Sequence, residues 1–457
     1  MIMITLAVTF STASTNCFGE DTHHGPVAAN GSLYFKAEPL NNYFNDVSDN
    51  IYYYIHLQGL DATPSENHVP LNLSVVLDKS GSMSGKKINY AKEALKYIIN
   101  NLGEDDYLSI VLYDTDVEVL FSQQKLKNRQ EVLKMVDEIS SGSSTNLEGG
   151  IRKGYEQVKI TKNIIEKEMI NRVILLSDGL ANVGITDSEQ LSAITKGFFT
   201  EDHISISTFG VGADYNEDLM ANIALQGGGK YYFIDSPEKL PEMFKDELNG
   251  ISQVIAKNTK IEITFPYNDL VHEKTYAYNS TVNGNKLSIS FNDIFASEQK
   301  SILIVFKKKR KLKDSMDISC VLTYANTMND NQVNIVDGRS STLKFAKDKQ
   351  VYDGGFNKAA SEGYAMEIAA EMYNDATFLC NQEHYKEAKQ KTREAIEFLD
   401  KHFQLIGENT YLRELQDNLK EYEKMIDDMK KMDRVSFSLN LKRQKYRRFR
   451  TISCPAF

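Results

Sequence analysis

Apolar positions change their spacing twice along the chain, and each change marks a change of architecture. From Leu71, short apolar runs alternate with stretches in which apolar residues recur every three or four positions. Strands are predicted at Leu73–Leu77, Tyr107–Tyr113, Val117–Phe121, Arg172–Ser177, Ile204–Phe209 and Tyr231–Ile234. Helices are predicted over 88–101, 127–139, 146–160, 188–199, 216–225 and 238–250. Asp114-Thr115-Asp116 reads as a tight turn that joins the second strand to the third. Strands that alternate with helices predict a doubly wound, mostly parallel sheet covered on both faces.

From about Lys257 the spacing falls to two. Thr259–Phe265 and Lys286–Phe291 alternate cleanly, and Ser301–Phe306 and Asp317–Leu322 add two more strands; together they predict an antiparallel β-sandwich running to about residue 347. Two earlier segments, Ser32–Ala37 and Ile51–Leu57, are too short to form a domain and are assigned to the same sandwich. The α/β domain is therefore expected to be inserted in the sandwich. Beyond Phe356 helical spacing returns: Ala365, Ile368, Met372, Ala376 and Leu379; then Ala388, Ala395, Phe398 and Leu399; then Leu412, Leu415, Leu419, Tyr422, Ile426 and Met429. A packed helical region accounts for this pattern, with a coiled-coil contact to a partner as the alternative. The resulting division is a candidate signal segment at 1–21, sandwich strands at 22–70, the α/β domain at 71–251, the sandwich at 252–350, helices at 351–435 and a basic tail at 436–457.

Composition narrows the function. The 457 residues are 41% hydrophobic and 25% charged, as in a folded multidomain protein, and the net charge of −10 disfavours nonspecific nucleic-acid binding. Lys442–Arg450 opposes that charge locally and reads as a solvated end, a membrane or partner contact being the alternative. Met1–Phe10 is apolar and precedes small residues, like the core of an export signal, although no Lys or Arg stands before it. Export to the periplasm, cell surface or medium is the expectation, with an ordinary buried strand as the other reading. Cys17, Cys320, Cys380 and Cys454 show no C-x-x-C spacing, which argues against a disulfide framework and a cysteine-rich zinc site. Cys320 and Cys380 read as small buried hydrophobes.

The chemistry is concentrated in Asp78-Lys79-Ser80-Gly81-Ser82. A carboxylate at a strand end with hydroxyls two and four residues later converges hard oxygen donors on one cation, and Gly81 allows the tight turn between them. Ser143-Ser144-Thr145-Asn146 and Ser177-Asp178-Gly179 offer a third hydroxyl and a second carboxylate. Each residue taken singly reads as a helix cap or turn former; the set Asp78, Ser80, Ser82, Thr145 and Asp178 reads as a metal site. Mg²⁺ is the expected ion, Mn²⁺ or Ca²⁺ the alternatives. If one of the two carboxylates binds only through water, the ion's primary shell is under-neutralised, which favours an incoming Asp or Glu of a partner protein. Asp114 and Asp116 read as turn residues, and Asp214 as a loop residue, a place on the rim of the site being its alternative.

These residues resemble the metal-ion-dependent adhesion site of von Willebrand factor type A domains, D-x-S-x-S…T…D. The first element alone is a weak signal, but three elements in order on the expected loops are a strong one. The wider layout resembles bacterial exported proteins with this domain set between β segments. It also resembles inter-α-trypsin inhibitor heavy chains and calcium-activated chloride channel regulators. The resemblance implies a metal-dependent adhesion or protein-binding module outside the cytoplasm and no enzyme. A structural assembly scaffold that uses the sandwich and helices, the metal being incidental, is the second reading. A metal-dependent phosphohydrolase is the third, and it lacks a second carboxylate at position 80 to act as general acid. Gly81–Lys87 fails as a nucleotide loop because its glycines are separated by three residues and Lys87 stands where Ser or Thr is required.

Overall fold

The computed structural model describes residues 31–60, 70–165, 169–212, 215–235, 237–239, 243–244, 247, 254–296, 298–312, 314–327, 334–432 and 442. The candidate signal segment, Cys17, Cys454, Asp214 and most of the 238–250 helix lie outside them.

Three strands precede the α/β region: β1 (Leu33–Pro39), β2 (Tyr43–Phe44) and β3 (Asn50–Gly59). The α/β sheet then contains β4 (Leu71–Asp78), β5 (Tyr107–Tyr113), β6 (Val117–Lys125), β7 (Ile170–Ser177), β8 (Ser205–Val211) and β9 (Gly228–Ile234). Its strand order is β6-β5-β4-β7-β8-β9, parallel except for β6. Every residue of β4 is buried, because helices cover both faces of the central strand. Those helices are α1 (Lys86–Asn101), α2 (Arg129–Asp137), α3 (Leu147–Ile164), α4 (Ser188–Asp202) and α5 (Glu217–Gln226). Ile88, Ala91, Leu95, Ile98 and Ile99 of α1 enter the core on one face; Leu147, Ile151, Tyr155 and Val158 of α3 enter the core on the other. The chain winds from β4 outward to β5 and later returns to β7 on the other side. The strand order thus reverses between β4 and β7, where ligands bind in open sheets of this kind.

The N-terminal strands do join the later sandwich: β3 lies between β1 and β14 (Gln299–Lys308), which in turn pairs with β11 (Leu270–Thr275). The facing sheet has the order β12-β13-β10-β15-β16-β2, from β12 (Thr281–Asn283), β13 (Lys286–Phe295), β10 (Val254–Thr264), β15 (Met316–Asn326) and β16 (Asn334–Phe345). Strands β2, β11, β12 and β16 were not expected from periodicity. β12 is wholly exposed and β11 half so, leaving no apolar alternation to read. Cys320 is a free, fully buried residue of β15.

The C-terminal region contains α6 (Lys349–Asp353), α7 (Lys358–Asn381), α8 (Tyr385–Ile406) and α9 (Thr410–Met429). Leu412, Leu415, Leu419, Tyr422, Ile426 and Met429 of α9 pack with Ala388, Ala395 and Leu399 of α8. Helix α7 is buried on two sides, since Ala360 also packs with Tyr54 and Leu303 of the sandwich. Gly363 faces Tyr54 so closely that a Cβ there would lie 2.0 Å from the ring. Gly363→Leu is therefore expected to lower stability by about 1–3 kcal/mol through overpacking, read as a lower midpoint of thermal denaturation. An unchanged midpoint would mean that α7 does not need that contact.

Candidate metal centre

Three loops converge at the β4/β7 reversal. The first follows β4, the second precedes α3 and the third follows β7. Backbone hydrogen bonds join the first two: the Gly81 N–H donates to the Ser143 carbonyl at 2.8 Å, and the Gly142 N–H to the Lys79 carbonyl at 2.5 Å. A Cβ at Gly81 would stand 3.2 Å from the Ser143 oxygen, so glycine serves a close approach there. The second and third loops interlock through Asn182. Its side-chain oxygen accepts from the Thr145 N–H at 2.8 Å, and its own N–H donates to the Thr145 carbonyl at 3.1 Å. The third loop turns at Gly179, with φ of +65°, and the Asn216 N–H holds the Asp178 carbonyl at 2.9 Å.

Asp78 is fully buried at the end of β4. Its Oδ1 accepts from the Ser80 N–H at 2.8 Å, and its Oδ2 from the Ser177 hydroxyl at 2.7 Å and the Tyr113 hydroxyl at 3.2 Å. Ser80, also buried, lies 3.0 Å from Ser82 between hydroxyl oxygens, and Ser82 is exposed at the mouth. Thr145 is buried and Asp178 fully so. Burial pushes the Asp78 carboxyl up to about 6, and the neighbouring Asp178 adds to the rise despite the hydrogen bonds from Ser80 and Ser177. Burial, with the charge of Asp78 nearby, also raises the Tyr113 phenol well above its ordinary range.

Among the described residues, these two buried carboxylates face a single ammonium, that of Lys87, and otherwise only neutral donors; the remaining negative charge is one that a divalent cation relieves. The donors are all oxygens, with no imidazole or thiolate, which suits Mg²⁺, Mn²⁺ or Ca²⁺ and not zinc or copper. Among the described residues no group of three or more His, Cys, Asp and Glu is placed to hold a metal ion; this donor set has two carboxylates and relies on hydroxyls.

Some contributors escaped the sequence reading. Ser177 and Tyr113 bridge to Asp78, and the Tyr113 hydroxyl also donates to Ser177 at 2.8 Å. Lys87, the second residue of α1, places its Nζ 3.1 Å from Asp178 Oδ2. The Ser-Asp-Gly string could have drawn attention to Ser177, but nothing local in sequence reveals the reach of Lys87 or Tyr113. Asp114 is indeed a turn residue, accepting from the Asp116 N–H at 3.0 Å. It also braces the first two loops, pairing with Lys79 at 2.9 Å and accepting the Asn146 N–H at its carbonyl. Partial burial pushes its carboxyl up, yet the Lys79 ammonium and the turn N–H groups outweigh that and hold it below the usual range. Of the basic tail, Lys442 is the one described residue. It is buried rather than solvated, its Nζ donating to the Tyr215 carbonyl and pairing with Glu217 at 3.2 Å. The acidic N-terminus of α5 supplies the compensating charge for that burial.

Residues 72–246 match the von Willebrand factor type A domain, so the α/β part of the chain is a domain of that family. The chain is 33% identical over 203 residues to the uncharacterized protein YfbK of Escherichia coli (strain K12), a match covering 44% of this chain and 35% of that protein. It is 27% identical over 247 residues to inter-alpha-trypsin inhibitor heavy chain H3 of Mus musculus, covering 52% of this chain and 27% of that one. The chain thus spans well under two thirds of the length of these curated relatives. Among solved structures, a von Willebrand factor type A protein from Catenulispora acidiphila shares the fold with a TM-score of 0.65 at 13% identity, over 84% of this chain and 89% of that one. The ArnB paralog VWA2 from Sulfolobus acidocaldarius does so with a TM-score of 0.57 at 19% identity, over 87% and 98%. Domains of this family are generally protein-interaction modules, and they often bind a divalent metal. No described helix is long and apolar enough to cross a membrane.

Proposed function

We propose that the von Willebrand factor type A domain of this chain is a metal-dependent binding module, in which Asp78, Ser80, Ser82, Thr145 and Asp178 hold a divalent cation that captures an acidic side chain of a partner protein. The observation that carries this reading is the buried Asp78–Asp178 pair at the strand-order reversal, ringed by hydroxyls. Bound there, the cation would supply a Lewis-acidic position able to accept a carboxylate. Asp78 would contribute a full negative charge at the base, while Ser177, Tyr113 and the Ser80 N–H keep its two oxygens oriented. Ser80, Ser82 and Thr145 would add neutral oxygens without cancelling the charge. Ser82 and Leu180 are exposed beside the site and would meet the partner first. The expected setting is outside the cytoplasm, in keeping with the apolar N-terminal stretch. The ion expected is Mg²⁺, with Mn²⁺ or Ca²⁺ as alternatives.

Calorimetric titration of chelator-treated protein with Mg²⁺ and Mn²⁺ tests the proposal. One site is expected in the wild type, lost in Asp78→Ala and weakened at least about tenfold in Asp178→Ala, since each substitution removes one of the two charges that attract the ion. A folded wild-type protein that binds neither ion would overturn the metal reading and favour the scaffold, whose contacts would lie on the sandwich and helices.

A further inference from the structure

We infer that Lys87 is a tethered cation of the site: its ammonium holds Asp178 in reserve, lowers the affinity for the divalent ion and keeps the loaded site positive toward a partner carboxylate. This rests on the metal-binding reading above and specifies how its charge is set.

Lys87 is delivered to Asp178 by the fold. Helix α1 begins at Lys86, directly after the loop carrying Ser80 and Ser82, so its first turn stands over the site. The ammonium lies 3.1 Å from Asp178 Oδ2, with the Lys87 side chain 15% exposed and that of Asp178 fully buried. The aliphatic stem is clasped by Gly212 at the end of β8, where a Cβ would lie 2.5 Å from Lys87 Cε. Gly212 has φ of +92°, a conformation that L side chains rarely adopt, so the clasp is built into the backbone. The other Asp178 oxygen lies 3.4 Å from the Leu180 N–H. Both oxygens are therefore already engaged by the protein.

Charge counting gives the consequence. Asp78 and Asp178 with Lys87 carry one net negative charge, so adding a dication leaves one net positive charge at the mouth. Without Lys87 the carboxylates carry two negative charges. A dication would then bind in a stronger attractive field, but the loaded site would be neutral and would attract a partner carboxylate less. Lys87 thus exchanges affinity for the ion against affinity for the ligand. At this separation, charges in a partly buried site interact strongly enough to move either affinity by an order of magnitude.

The test uses the full chain with Lys87→Met, which keeps most of the stem and removes the charge. Gly212→Ala is a second variant that leaves the lysine in the sequence and obstructs its path. Titration with Mn²⁺ alone, by calorimetry, is expected to show at least about tenfold tighter binding for Lys87→Met and a change of the same sign for Gly212→Ala. Titration of the Mn²⁺-loaded proteins with acetate, followed by water-proton relaxation, is expected to show weaker acetate binding in Lys87→Met than in the wild type. In chelator, Lys87→Met is expected to melt lower than the wild type, because Asp178 loses its partner. Mn²⁺ affinity that is unchanged or lower in Lys87→Met, while the wild-type site still depends on Asp78, would overturn the inference and leave the metal site standing. Absence of Asp78-dependent binding in both wild type and Lys87→Met would remove both. Binding in Lys87→Met but not in the wild type would overturn the metal-binding function proposed above for the native chain, while showing that Lys87 occupies the cation's place.

Discussion

Glu247→Ala is expected to cost about 3–5 kcal/mol of stability, the effect of leaving a buried charge without its partner. Arg172, at the start of β7, and Glu247 are almost wholly buried and lie 3.3 Å apart. The Glu247 carboxylate also accepts from Ser207 at 2.6 Å and from Tyr232 at 2.9 Å, while the Arg172 guanidinium sits 5.7 Å from the Phe295 ring centre at the end of β13. The pair therefore ties the base of the α/β sheet to the adjoining sandwich strand. Chemical denaturation checks this: the single variant should lose its transition midpoint early, whereas Arg172→Met combined with Glu247→Leu should recover much of the loss, since an apolar replacement of both partners is often nearly neutral. A cost below about 1 kcal/mol for Glu247→Ala would mean that water compensates the arginine. Arg172 stands five residues before Ser177 along β7, roughly 17 Å at the rise of a strand. The affinity for metal should therefore be unchanged in any variant that still folds.

Asp78→Asn is expected to act in the opposite direction in chelator, stabilising the protein at pH 7. The folded carboxyl keeps its proton to about pH 6, because burial raises it and Asp178 adds to the rise, whereas an unfolded aspartate ionises near pH 4. Folding takes up a proton between those values, so the metal-free protein loses stability as pH rises from about 4 to about 6 and the loss stays constant above that. Asparagine keeps an acceptor for the Ser80 N–H without the buried charge, and about 2–3 kcal/mol should return at pH 7. The same substitution should abolish stabilisation by Mn²⁺, which in the wild type should reach about 2.7 kcal/mol at a hundredfold excess over the dissociation constant. Thermal melts of both proteins in chelator and in Mn²⁺ decide it. A lower midpoint for Asp78→Asn in chelator would show that the charge is not costly there, and that Asp78 is held for structure rather than for a cation.

The alternation of short apolar runs with helical spacing was enough to place β4, β5, β7 and β8 within one or two residues. It was also enough to set Asp78 and Asp178 at the ends of strands, because fully buried parallel strands show in sequence as unbroken apolar stretches. The return of the N-terminal strands to the later sandwich was readable for a related reason: β1 alternates and is too short to bury its own face alone. Local patterning also carried the motif, since the D-x-S-x-S donors are neighbours in the chain.

What only the tertiary structure decided were the relations between residues far apart in sequence. The order β6-β5-β4-β7-β8-β9 brings Ser177, 99 residues away, within hydrogen-bond reach of Asp78. The clasp of Gly212 on Lys87, the burial of Lys442 against Tyr215 and the close packing of Gly363 on Tyr54 have the same origin. Exposed strands such as β12 left no periodic trace either, because their side chains have no buried face to select apolar residues. Hydrophobic spacing reports which face of an element is buried. Which charges then meet across that burial, and so how strongly the proposed site would hold an ion, is set by the strand order and by the reach of long side chains, neither of which has a period.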